Sequence, residues 1–137
     1  MKMKFNYVWV IDDSTIDNYI TEQVLKKSGL ALETSCFTEA RMALISLNSL
    51  IADNKALPEV IFLDISMPVM NGFDFLDAFE KNDFTNLKQP AIVMLSSSTN
   101  QEDITRALSN NLVTNYISKP LTIDLINSMS DGLGVKK

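Results

Sequence analysis

Four short, almost purely apolar runs, separated by segments with helical spacing, constrain the fold of this 137-residue chain most strongly. The runs cover residues 7–11, 60–63, 91–95 and 116–117. Each is nearly continuous rather than alternating, which is typical of strands that are covered on both faces in a parallel sheet. A weaker candidate at residues 32–37 is expected to form an edge strand.

The segments between these runs carry helical patterns. The first opens with Ser-Thr-Ile-Asp at 14–17, which resembles a capping box, repeats Ile16, Ile20 and Val24 at four-residue spacing, and ends near Gly29. Each of the four later predicted helices carries its own apolar stripe. The second helix has Ala40, Ala43, Leu44, Leu47, Leu50 and Ile51, and the third has Phe75, Leu76 and Phe79. The fourth has Ile104, Ala107 and Leu108, and the fifth, after a Thr122 cap, has Ile126, Met129 and Leu133.

Strands alternating with helices of this length predict an α/β fold with five βα units. We expect a five-stranded, doubly wound parallel sheet with helices on both faces. A chain of 137 residues with 46% hydrophobic residues suffices for one domain with its own core. We place that domain at residues 5–133, with short tails at 1–4 and 134–137.

Composition excludes several functional classes. The absence of histidine excludes Ser-His-Asp and Cys-His nucleophile systems, His-ligated zinc and haem, and it means that the chain cannot carry a phosphohistidine. The single cysteine, Cys36, excludes an internal disulfide and fits a reducing compartment. A net charge of −5 opposes nucleic-acid binding by bulk electrostatics. Because no apolar run approaches the ~18 residues of a spanning helix, we predict a cytoplasmic protein without a membrane or direct nucleic-acid partner.

Polar side chains follow four of the five predicted strands. Asp12 and Asp13 follow the first strand, Asp64 the third, serines 96–98 the fourth, and Lys119 the fifth. Ligands of open α/β sheets bind outside the carboxyl ends of the strands. We therefore expect three carboxylates, a hydroxyl and an ammonium group to converge at one edge of the sheet.

The charges at this edge predict a metal ion. Two carboxylates about 5 Å apart repel by roughly 3 kcal/mol at an effective dielectric constant of about 20. Lys119 supplies one positive charge, and an all-oxygen site selects a hard divalent cation such as Mg²⁺. The resulting site is nearly neutral and suits a phosphoryl group, whose oxygens can bridge metal, lysine and hydroxyl.

Four motifs then carry a family resemblance. Ile-Asp-Asp at 11–13, Leu-Asp-Ile-Ser-Met-Pro-Val-Met-Asn-Gly at 63–72, Leu-Ser-Ser at 95–97 and Tyr-Ile-Ser-Lys-Pro at 116–120 resemble the receiver domain of two-component response regulators. With no output domain in the sequence, the chain resembles single-domain, chemotaxis-type (CheY-like) regulators. The resemblance implies a flavodoxin-like (βα)5 fold.

The resemblance also implies a function. It predicts a phosphorylation-activated switch of a two-component system or phosphorelay. The phosphoryl donor is expected to be a sensor histidine kinase or a histidine phosphotransfer protein, and the output passes to a downstream effector protein through protein–protein contacts. The chain is expected to be a stoichiometric phosphoacceptor with intrinsic autodephosphorylation rather than an enzyme.

The same resemblance assigns roles around the phosphoacceptor. Asp64 corresponds to the acceptor, and Lys119 to the lysine that pairs with the acceptor or its phosphate. The Mg²⁺ ligands that the resemblance implies are Asp12, Asp13, Asp64 and the backbone carbonyl of Ser66. A cis Lys119–Pro120 bond is also implied.

Two further positions correspond to the conformational switch. Ser96 corresponds to the switch hydroxyl, although Ser97 remains an alternative, and Ser96 is preferred because it directly follows the fourth apolar run. Tyr116 corresponds to the aromatic residue that turns inward on activation. Ser66 and Ser98 flank the site and are small, so we expect open access of water and no unusually long-lived phosphate.

Three other functions are alternatives to a phosphorylation switch. A haloacid-dehalogenase-type phosphatase needs a second aspartate two residues after the nucleophile, where this chain has Ser66. A flavodoxin-like cofactor binder needs a phosphate loop after the first strand, where Asp12 and Asp13 would repel a phosphate. The remaining alternative is a degenerate receiver that acts as a phosphorylation-independent interaction module.

Overall fold

Five strands and five helices alternate along the chain in the computed structural model, which describes residues 5–85 and 87–129. The strands are β1 (Phe5–Ile11), β2 (Ala31–Phe37), β3 (Val60–Leu63), β4 (Ala91–Ser96) and β5 (Val113–Ser118). The helices are α1 (Thr15–Ser28), α2 (Ala40–Ala52), α3 (Gly72–Glu80), α4 (Gln101–Ser109) and α5 (Ile123–Met129).

The strands form one parallel sheet in the order β2-β1-β3-β4-β5. This confirms the predicted α/β fold, and it confirms that the second strand lies at an edge. β5 is longer than predicted, because the polar residues Thr114 and Asn115 extend it ahead of the apolar pair.

Alternate residues of the central strands fill two separate cores, one on each face of the sheet. On one face Trp9 and Ile11 of β1 pack with the apolar residues of α2 and α3. On the other face Val8 and Val10 pack with Leu25 of α1 and Ile126 of α5. This two-sided burial explains why the strand sequences are continuously apolar.

The predicted apolar stripe of α1 is not the buried face of that helix. Ile16 and Ile20 are 70% and 42% exposed. The buried residues are instead Asn18, Thr21, Leu25 and Ser28. The Asn18 amide donates to the carbonyl oxygens of Asp12 (2.9 Å) and Phe37 (3.3 Å), and these hydrogen bonds fix which face of α1 lies against the sheet.

The prediction for α4 holds only in part, whereas the predicted cap of α5 is confirmed. In α4, Ala107 is buried and Ile104 half-buried, but Leu108 is 61% exposed. At α5, the Thr122 hydroxyl accepts from the Leu125 N–H (3.2 Å), as expected of a cap. The predicted stripe residue Leu133, both predicted tails and the C-terminal limit of the domain lie outside the described residues, so the domain boundaries stay predictions.

No helix within residues 5–85 and 87–129 is long and apolar enough to span a lipid bilayer.

Candidate functional site

Hydrogen bonds of the backbone position the first site residues just beyond the strand ends. The Asp64 N–H donates to the Ile11 carbonyl (3.0 Å), and the Lys119 N–H donates to the Ser96 carbonyl (2.9 Å). The Asp12 N–H likewise donates to the carbonyl of Phe37 (3.0 Å). Because these bonds continue the parallel pairing, the first side chain after each strand is held at the same edge of the sheet.

The three predicted carboxylates come together there. One carboxylate oxygen from each of Asp12, Asp13 and Asp64 lies within 4.8 Å of the other two. Asp12 and Asp64 are buried, at 3% and 5% exposure, and Asp13 is exposed. An all-oxygen donor set with one solvent-facing member fits a hard divalent cation that keeps part of its water shell. The donor chemistry of this chain thus matches Mg²⁺, the cation that the resemblance implies.

Lys119 reaches into this cluster. Its ammonium nitrogen lies 2.5 Å from Asp12 Oδ2, 2.9 Å from Asp17 Oδ2 and 3.4 Å from Asp64 Oδ2. The lysine side chain is only 14% exposed. Lys119 thus contacts Asp64, the acceptor with which the resemblance pairs it, and its two closer partners are Asp12 and Asp17.

Asp17 was missed by the sequence analysis as a site residue. The residue stands at the third position of α1, where the sequence pattern predicts only part of a helix cap. The available signal was a further carboxylate four residues after Asp13, on a helix that begins at the site. Nothing local in that pattern indicates that the carboxylate reaches a lysine 102 residues away.

The electrostatic environment raises the pKa of both central groups. Burial and the nearby Asp12 charge raise the pKa of the Asp64 carboxyl, and they outweigh Lys119 and the Ser66 N–H, which lower it. Burial alone would lower the pKa of Lys119, but its hydrogen bonds to Asp12 and Asp17 and the charge of Asp64 raise it above the ordinary value. The lysine therefore remains charged, while ionisation of Asp64 is penalised until a further cation is present.

The loop after Asp64 carries the fourth predicted ligand residue. Ser66 is exposed, and its N–H lies 3.4 Å from Asp64 Oδ1, to which it donates. The role of its carbonyl as a metal ligand stays a prediction.

Gly72 supports this loop at the start of α3. A Cβ at Gly72 would lie 2.4 Å from the backbone oxygen of Asp64, so a side chain has no room there.

The two predicted switch residues meet at one loop residue. Ser96 is fully buried, and its hydroxyl accepts from the Ser98 N–H (3.1 Å). Tyr116 is half-buried, and its hydroxyl donates to the Ser98 carbonyl (3.2 Å). The Ser98 hydroxyl in turn donates to Asp103 in the first turn of α4 (2.8 Å). Ser97, the alternative switch hydroxyl, is exposed.

The peptide bond between Lys119 and Pro120 is cis, as the resemblance implied. It directly follows the strand end that carries the lysine.

Comparison with known proteins identifies the family. The response regulator receiver domain matches residues 8–130. A crystal structure of a two-component response regulator from Cytophaga hutchinsonii has a TM-score of 0.84 and 29% sequence identity, and the match covers 95% of this chain and 97% of that chain. The chemotaxis response regulator CheY4 of Vibrio cholerae has a TM-score of 0.71 and 25% identity, with 95% and 99% covered.

One curated relative is a much larger protein. The sensor histidine kinase CheAY of Helicobacter pylori is 32% identical over 123 residues, which are 89% of this chain but only 14% of the kinase. The match therefore concerns a segment of that kinase and not its whole activity. Together with the fold, the convergent acidic site and the match over residues 8–130, it shows that this chain belongs to the response regulator receiver domains, the phosphoacceptor switches of two-component signalling.

Proposed function

We propose that Asp64 accepts a phosphoryl group from a phosphohistidine of a partner protein and that the chain acts as a stoichiometric switch. The observation that carries this proposal is the buried Asp64 carboxylate, which lies within 4.8 Å of two other carboxylates and 3.4 Å from the Lys119 ammonium. Such a carboxylate can act as a nucleophile once a cation offsets the negative charge around it.

The transfer needs little covalent chemistry from the protein. An Asp64 oxygen attacks the phosphorus atom in line and forms the new O–P bond, while the N–P bond of the donor breaks and the imidazole leaves with its electron pair. The Lys119 ammonium faces the same space and stabilises negative charge on the transferred oxygens. Asp12, Asp13, Asp64 and the Ser66 carbonyl would hold a Mg²⁺ ion, which when bound supplies further positive charge to those oxygens.

The loop between β4 and α4 offers a route from the site to the surface. We infer that the Ser96 hydroxyl donates to the phosphoryl group and gives up its contact with the Ser98 N–H, now 3.1 Å. Since Ser98 is also bonded to Tyr116 and Asp103, its movement changes the position of α4 against β5. A downstream effector protein that prefers the altered face of α4, β5 and α5 would stabilise the active form.

An exposed apolar patch supports docking of a phosphoryl donor beside the site. Ile16, Tyr19 and Ile20 of α1 are 70%, 63% and 42% exposed, and α1 begins directly at the acidic cluster. A sensor histidine kinase or a histidine phosphotransfer protein is the partner that we propose for this patch. The cytoplasmic location and the absence of nucleic-acid and membrane partners stay predictions.

The test is phosphorylation with a small donor. Incubation with acetyl phosphate and Mg²⁺ should add the mass of one phosphoryl group, and the added group should be lost again by autodephosphorylation. Asp64→Asn should abolish the gain, whereas Asp124→Asn, which neutralises an exposed aspartate of α5, should retain it. An unchanged mass in the wild-type protein would contradict the proposal and favour a phosphorylation-independent interaction module.

A further inference from the structure

The carboxylate of Asp17 is bound to the site lysine although the site needs no further acid. Asp17 Oδ2 lies 2.9 Å from Lys119 Nζ, closer than Asp64 Oδ2 at 3.4 Å. The Asp17 side chain is 38% exposed, whereas that of Lys119 is 14% exposed. Asp17 therefore holds the lysine from the solvent side, at the start of α1.

The helix itself does not require this carboxylate. In a complete capping box the side chain of the third helical residue accepts from the N–H of the cap residue. Here the Ser14 hydroxyl accepts from the Asp17 N–H (3.1 Å), but the Ser14 N–H donates to Asp12 Oδ1 (2.9 Å) and not to Asp17. Because Asp12 replaces Asp17 in that role, the Asp17 carboxylate is available for Lys119.

The geometry separates Asp17 from the carboxylates that can hold a metal. Asp12, Asp13 and Asp64 form the group whose oxygens lie within 4.8 Å of one another, and Asp17 is outside it. Lys119, in contrast, lies 2.5 Å from Oδ2 of Asp12, whose carboxylate belongs to that group. The ammonium and a metal ion therefore compete for Asp12.

We propose that Asp17 is a positioning residue that lets Lys119 leave Asp12 when a divalent cation binds. This inference rests on the proposed function, because it concerns how the same site takes up Mg²⁺. Asp17 gives the ammonium a charged partner outside the metal-binding group, and so the lysine can yield Asp12 without losing all of its charge-assisted hydrogen bonds. Without Asp17, the ammonium has only Asp12 and Asp64, both of which the cation also needs.

The first experiment measures Mg²⁺ affinity by isothermal titration calorimetry. Asp17→Asn should weaken binding by about three- to tenfold, the range expected for coupled charged neighbours. Asp124→Asn is the matched control, since it removes one negative charge from the first turn of another helix and should leave the affinity nearly unchanged. Asp17→Ser serves as a second neutral variant, and the circular dichroism of each variant verifies that α1 is intact.

A double-mutant cycle with Lys119→Met tests whether Asp17 acts through the lysine. Lys119→Met should tighten Mg²⁺ binding, because the competing ammonium is gone, and Asp17→Asn should then have no more effect than Asp124→Asn. An equal loss of affinity with and without Lys119 would overturn the proposal, because Asp17 would then act directly on the cation. An unchanged affinity in the single variant would overturn it as well.

A second readout needs no metal. In NMR spectra of the metal-free protein, the ammonium of Lys119 should exchange its protons with water faster in Asp17→Asn than in the wild type, and equal rates would contradict the proposed contact. Failure of this inference is distinguishable from failure of the proposed function. In the first case the wild type still gains a phosphoryl group on Asp64, whereas in the second it does not.

Discussion

At the scale of single residues, the Asp64 carboxylate is held where its charge is unfavourable. It is 5% exposed, and Asp12 lies beside it, so the pKa of the carboxyl is raised by burial first and by the Asp12 charge second. Lys119 offsets only part of this rise in pKa, because its positive charge is shared among three carboxylates. The negative charge of Asp64 is thus unfavourable until a bound cation offsets it or a substitution removes it.

Because this charge is unfavourable, we predict that Asp64→Asn stabilises the metal-free protein. Because the pKa of Asp64 is higher in the folded than in the unfolded state, the folded state binds more protons above pH 3.8, and stability falls as the pH rises through that range. At pH 7 in EDTA the variant should therefore melt about 3–8 °C higher than the wild type. The difference should shrink as the pH is lowered toward 3.8, the ordinary value for aspartate.

Calorimetry at several pH values checks this prediction, with Asp124→Asn as the control that should gain nothing. A lower melting temperature of Asp64→Asn at neutral pH would mean that the ion pair with Lys119 outweighs burial and repulsion.

Two small serines, Ser66 and Ser98, which the resemblance places beside the acceptor, predict the lifetime of the phosphate. Ser66 is exposed and Ser98 is half-buried, so neither is expected to shield the phosphoryl group from water. Ser66→Gln and Ser98→Tyr should each slow loss of the phosphoryl group by about three- to tenfold, which corresponds to about 1 kcal/mol of activation free energy. Mass spectrometry after removal of acetyl phosphate measures the rate, and the exposed Thr99→Gln is the control. Equal lifetimes in all of these proteins would refute open water access as the determinant.

At the scale of elements, hydrogen bonds at the starts of the helices hold the site residues in position. α3 begins with a complete capping box, in which Asn71 accepts from the Asp74 N–H (2.9 Å) and Asp74 accepts from the Asn71 N–H (3.0 Å). The first residue of that helix, Gly72, also donates its N–H to the Ile65 carbonyl (2.8 Å). These hydrogen bonds therefore hold the end of β3 and the start of α3 in one arrangement around Asp64.

Gly72→Ala should disrupt the contact between the end of β3 and the start of α3. The new Cβ meets the Asp64 carbonyl oxygen at 2.4 Å and Ile65 Cα at 3.0 Å, and neither backbone atom can rotate away. We expect a loss of about 1–3 kcal/mol in the free energy of unfolding, measured by urea denaturation. Phosphorylation by acetyl phosphate should also slow, since the backbone of the acceptor shifts.

Gly29→Ala is the control for this substitution. Gly29 has a φ of 73°, but no atom lies within 4 Å of the position that a Cβ would take, so alanine there carries only backbone strain of about 1 kcal/mol. Its phosphorylation rate should match the wild type. A Gly72→Ala protein that phosphorylates at the normal rate would contradict the role given to this contact.

At the scale of the whole molecule, the site couples to global stability. The carboxylates that can hold a cation follow two strands, β1 and β3, so a cation that binds them connects segments that separate on unfolding. A ligand that binds only the folded state at 100 times its dissociation constant stabilises it by about 2.7 kcal/mol.

Mg²⁺ should accordingly raise the melting temperature of the wild-type protein by about 5–10 °C at saturating concentration. Asp13→Asn should lose most of this increase, and because Asp13 is exposed, its melting temperature without Mg²⁺ should stay close to that of the wild type. Differential scanning fluorimetry across a Mg²⁺ titration makes the comparison, with Ca²⁺ as a test of selectivity. A shift of equal size in Asp13→Asn would place the bound cation elsewhere.

The sequence by itself determined the fold and the gathering of the acidic site. Continuous apolar runs report strands buried on both faces, and parallel strands must bring Asp12, Asp64 and Lys119 to one edge. These predictions succeeded because each depends on local pattern and on a topology with few alternatives.

Tertiary structure alone decided which face of α1 is buried and which acid holds Lys119. Ile16 and Ile20 show helical spacing, yet hydrogen bonds from Asn18 to two backbone carbonyls turn the opposite face toward the sheet. Asp17 reads locally as a cap, yet its carboxylate binds a lysine 102 residues away. Periodicity records the positions of apolar residues, whereas the partner of a polar side chain depends on the packing of distant segments, which no local pattern encodes.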